Sequence, residues 1–163
     1  MTKAKIDPVL ANADVLEHAL AAKTVGREGE WSKIAMRVLR QVEETLRCHL
    51  NDLDADERLL STDGNAPEGT FPTRDRHFLE IRREAQVCLD SVQALEEKVQ
   101  HAFSAFETGS KQRQGASPAE MGIPDFGEIR ADGGQVISAL RHFRDEEAKE
   151  LLESVTTDIG VGD

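Results

Sequence analysis

Five histidines are the residues of this chain best suited to chemistry: His18, His49, His77, His101 and His142. Carboxylates accompany most of them at helical distances. Glu17 adjoins His18, Asp52 and Asp56 follow His49, Glu84 follows His77, and Glu146 and Glu147 follow His142. Residues three, four or seven apart share a face of an α-helix, so several of these pairs would present imidazole and carboxylate together. Imidazole suits iron, and carboxylates coordinate and bridge metal ions. Facing helices that aim both inward build carboxylate-bridged di-iron centres in four-helix bundles.

Four helical stretches must position these groups, at about 7–25, 31–60, 71–107 and 127–157. Asp7 is placed to cap the first, with Pro8 at the first helical position, where a missing N–H is harmless; Gly26 and Gly29 close it. In the second, Ile34, Val38, Val42, Leu46, His49, Leu53, Asp56 and Leu60 recur at steps of three and four, which is one helix face. The third has Ile81, Glu84, Cys88, Val92, Leu95, Val99 and Phe106 on the face of His77. The fourth has Val136, Leu140, Phe143, Glu147 and Leu151. Gly133 and Gly134 each disfavour a helix interior by about 1 kcal/mol, which sets the regular part of the fourth helix from about Asp132. The Gly- and Pro-containing stretches 61–70 and 108–124 read as loops. Residues 1–163 thus form one domain, an all-α antiparallel up-down-up-down four-helix bundle. A three-helix core with one swung-out helix is the competing arrangement.

The fragments VLEHAL with Glu17 and His18, LRCHLNDLDADERLL around His49, DRHFLEIRREAQ around His77 and ALRHFRDEEAKELLESV around His142 follow one another in the order found in hemerythrin-like domains. The chain resembles that HHE cation-binding family over nearly its whole length. The resemblance implies non-haem iron, mono- or di-nuclear, bound inside the bundle and used for O2 binding, redox sensing or iron handling. It implies metal ligands among His18, His49, Asp52, Asp56, His77, Glu84, His142, Glu146 and Glu147. Two departures stand out. Asp52 occupies the family's second His position in helix two, and Leu53, which cannot bind metal, lies four residues after His49.

The residues leave alternatives open. In helix four, spacing favours His142 with Glu146, whereas amphipathicity turns Phe143 and Glu147 inward and His142 outward. Amphipathicity is the stronger guide, because burying Leu140 and Leu151 is worth about 1.5–3 kcal/mol each. In helix one either the side of His18 or that of Val9, Leu16 and Leu20 can face inward. A histidine on an apolar face is more often a hydrogen-bonded core residue than a ligand, and DLDADE at 52–57 is equally a solvated charged segment. The alternative reading is a metal-free, degenerate bundle of the same shape that serves as a protein-interaction or regulatory module.

A formal net charge of −11 disfavours nucleic acid and anionic membrane surfaces as partners. Two cysteines, Cys48 and Cys88, are too few for a disulfide framework and read as reduced thiols, Cys88 inert in the core. No apolar stretch approaches the roughly 18 residues of a membrane span, and residues 1–14 lack a signal-peptide core, so the expected setting is cytoplasmic. Nucleophile elbows, phosphate loops and dinucleotide fingerprints are absent from the sequence, so no catalytic residue is assigned and the chain is not read as an enzyme.

Overall fold

A computed structural model describes residues 6–62, 72–111 and 126–159, with side-chain environments for 6–55, 78–109 and 126–153. The segments 63–71 and 112–125, which contain most of both expected loops, lie outside the described residues. Four α-helices are present: α1 Pro8–Ala21, α2 Glu28–Thr62, α3 Pro72–Lys111 and α4 Phe126–Ile159. The chain is therefore the expected all-α four-helix bundle. Each helix packs on the next, and α4 packs on α1 to close the ring.

Cross-helix pairs set the registers. Between α2 and α3, Arg40 meets Glu96, Glu43 meets Gln93 and Asp54 meets Arg82. Between α1 and α4, Asp7 meets Arg144, Glu17 meets Arg141 and the Leu20 carbonyl meets Arg130. One partner's number rises as the other's falls, which is the register of antiparallel neighbours. No described helix is long and apolar enough to cross a membrane.

The core follows the apolar stripes. Val9, Ala13, Leu16 and Leu20 of α1 pack with Leu39, Val42 and Leu46 of α2. Cys88, Val92, Leu95 and Val99 of α3, and Val136, Ile137, Leu140 and Phe143 of α4, complete it. Three expectations about these stripes are corrected. Glu84 is exposed, because it lies at the edge of the buried arc of α3 formed by Ala85, Cys88 and Val92 and not at its centre. Leu151 is 61 % exposed and Ile34 41 %, so neither extends the core. α1 ends at Ala21, short of Val25: Ala22 is extended, and Arg130 takes the carbonyls of Leu20 and Ala22, which no later turn of helix satisfies.

The pair Gly133–Gly134 does not delay α4, which runs through both from Phe126. Gly133 is buried, and a Cβ there would run into Leu20 Cδ1, so its bare backbone makes room for the Leu20 side chain. Gly134 faces open space. The two glycines should therefore respond oppositely to the same change. Gly134→Ala should stabilise by about 0.5–1 kcal/mol through helix propensity. Gly133→Ala should lose about 1 kcal/mol net, since overpacking of 1–3 kcal/mol outweighs that gain. Thermal and urea denaturation of the two variants measures the difference.

Candidate functional site

A carboxylate lies inside the bundle where α1, α2 and α4 meet. Glu147, on the inward stripe of α4, is 5 % exposed. An uncompensated charge at such a place would be expensive, so its partners decide whether it is tolerated. His49 of α2 places Nε2 2.9 and 3.0 Å from the two carboxylate oxygens. Arg144, one helical turn before Glu147, donates from Nη1 to Oε2. Its Nε donates to Asp7 Oδ2 at 2.6 Å. Asp7 in turn caps α1, with Oδ1 accepting from the backbone N–H of Val9 (2.9 Å) and Leu10 (3.3 Å).

The protonation pattern follows from the donors. A carboxylate paired with a guanidinium is ionised and accepts only, so His49 must present Nε2–H to it. Arg144 Nη1 and His49 Nε2, 3.3 Å apart, are then two donors converging on one acceptor and not a bond to each other. The ring of His49 meets the edge of Phe143 at 5.7 Å between centroids, and this packing fixes its plane. Burial pushes the Asp7 carboxyl upward. The hydrogen bond and charge of Arg144 and the two backbone N–H groups outweigh it and hold Asp7 below the usual carboxylate range. Outside this cluster lies a groove lined by residues of α1 and α2, including Asn12, Glu44, Thr45, Cys48 and Asp52, on which His49 and Arg144 also border.

The expected ligands are divided by this geometry. His49 and Glu147 are brought together. Phe143 is buried beside them and His142 is exposed, so amphipathicity prevails over spacing in α4. Glu146 points away and pairs with Lys149 at 2.6 Å. His18 lies on the exposed side of α1, whose inward side is Val9, Ala13, Leu16 and Leu20. Asp52 is exposed at the groove, and Glu84 is exposed on α3, away from this carboxylate. The backbones of Asp56 and His77 belong to α2 and α3, but both side chains lie outside the described residues. Cys88 is buried and its thiol is pushed up to about 11, first by burial and then by the charge of Glu84, as an inert core thiol should be.

Arg144 is the member that sequence reasoning missed. Its signal was present: it lies three residues before the inward-facing Glu147, on the same face, and an acid at the N-cap of α1 awaited a partner. The described residues do not fit a metal ion. A cation on Glu147 would sit against the Arg144 guanidinium, and like charges at contact distance repel strongly in so dry a setting. Among the described residues no group of three or more His, Cys, Asp or Glu is gathered that could hold one.

Comparison with protein-family models, with curated proteins and with solved structures returned no match.

Two outcomes test the cluster. Glu147→Ala should destabilise the fold by about 3 kcal/mol, because it leaves Arg144 and His49 without their shared acceptor; denaturant titration measures it. Asp7→Asn retains a good N-cap but removes the charge. Because the Asp7 pKa is depressed in the fold, its contribution is present above the unfolded value near 3.8 and is lost as pH falls below it. The wild type should therefore lose thermal stability more steeply than Asp7→Asn as pH drops from 4 to 2, by circular dichroism melts.

Proposed function

We propose that this chain is a metal-free helical bundle that works as a protein-interaction or regulatory module. One observation carries the reading: the guanidinium of Arg144 sits on Glu147, the inward carboxylate that metal chemistry would require. The buried charge is answered by protein groups, and a bound cation is not needed to hold the bundle. The chain is strongly acidic overall, with a net charge of −11, yet Leu79 and Val87 of α3 are 55 % and 56 % exposed.

The resemblance to hemerythrin-like domains supports the other reading, a cation-binding bundle that uses iron for O2 binding, redox sensing or iron handling. His49 and Glu147 facing each other from α2 and α4 is the arrangement it would begin from. Metal analysis by plasma mass spectrometry on untagged, iron-supplemented protein separates the two. The expected result is metal well below one ion per chain and a thermal midpoint that chelator leaves unchanged, since a bound structural metal adds its binding energy to folding. Near two irons per chain, with an oxo-bridge absorption band and a chelator-sensitive midpoint, would overturn the metal-free reading.

A further inference from the structure

We propose that α1 is a strap that opens as a unit from the three long helices, fastened by arginines of α4. The proposal holds whether or not the bundle carries a metal. α1 has 14 residues, against 35, 40 and 34 in α2, α3 and α4. A helix of that length is marginal alone in water, so its docking maintains it. The docked face contributes four buried side chains, one of them an alanine: Val9, Ala13, Leu16 and Leu20.

The polar fastening is spaced along the strap. Arg144 holds the N-terminal end through Asp7. Arg141 holds the middle, donating to Asp14 at 2.8 Å and Glu17 at 2.7 Å. Arg130 holds the C-terminal end, donating to the carbonyls of Leu20 (2.8 Å) and Ala22 (2.6 Å). The Arg141 pairs are solvated, with Arg141 42 % exposed and Asp14 68 %, so they are weak and screened by salt. A short segment docked through four buried side chains and tied in its middle by solvated pairs can open below the free energy of global unfolding. Opening of α1 withdraws Asp7 from Arg144. It also bares the sides of α2 and α4 on which α1 lies.

Native-state hydrogen exchange on the full chain, at constant pH in low and in 0.5 M salt, tests this. The amides of α1 from Asn12 to Leu20 should exchange as one class, at least about tenfold faster than the core amides of α2, α3 and α4. Arg141→Ala, a substitution at a partly exposed side chain, should speed exchange several-fold in α1 alone, and so should salt. Equal protection in α1 and the long helices would overturn the strap. So would a graded loss of protection that reports fraying from one end. Acceleration by Arg141→Ala that is absent, or spread equally over all four helices, would overturn the arginine fastening.

Discussion

The buried carboxylate of Glu147 is the constraint around which this bundle is arranged. A charge that is 95 % withdrawn from solvent is stable only if nearby groups replace the water it lost. Two do so, from two helices: the guanidinium of Arg144 and the imidazole N–H of His49. Each then carries a further requirement. Arg144 needs a second acceptor and finds it in Asp7, which is simultaneously the cap of α1. His49 needs a fixed ring plane and takes it from Phe143. One acid therefore ties together the start of α1, the middle of α2 and the second half of α4.

That chain of requirements fixes geometry more than it adds stability. Buried ion pairs often contribute little net stability relative to apolar residues of the same volume, whereas breaking one is costly. A bundle of this size could be closed at that level with leucines alone. A centre that instead holds two acids, an arginine and a histidine defines how three helices must meet.

The seating of Leu20 against α4 depends on a second local feature, the missing side chain of Gly133. Leu20 occupies the space a Cβ would take. Arg130 then finishes the helix by accepting the job of the absent next turn, satisfying the carbonyls of Leu20 and Ala22. The packing of Leu20, the end of α1 and the register of α4 are thus one arrangement.

The amino-acid sequence by itself determined the class of fold. Four apolar periodicities of 3.6 residues separated by Gly- and Pro-containing breaks admit little but a helical bundle. The same periodicity was enough to turn Phe143 and Glu147 inward and His142 outward, because burying a stripe of large apolar side chains outweighs the placement of one histidine. Asp7 and Pro8 marked the start of α1 through local chemistry alone. Three matters were decided only by tertiary structure. Whether α1 turned His18 or Leu16 inward was a choice between two weak stripes, and it was settled by the docking of α1 on its neighbours. Glu84 appeared to continue an apolar face, yet the rotation of α3 against its neighbours carried it to solvent. The role of Gly133 and the partnership of Arg144 with Asp7 join residues more than 100 positions apart. Helical propensity and periodicity describe each segment against its own axis. Which side chain meets which across the bundle depends on axial register and rotation, and those are set jointly by all four helices.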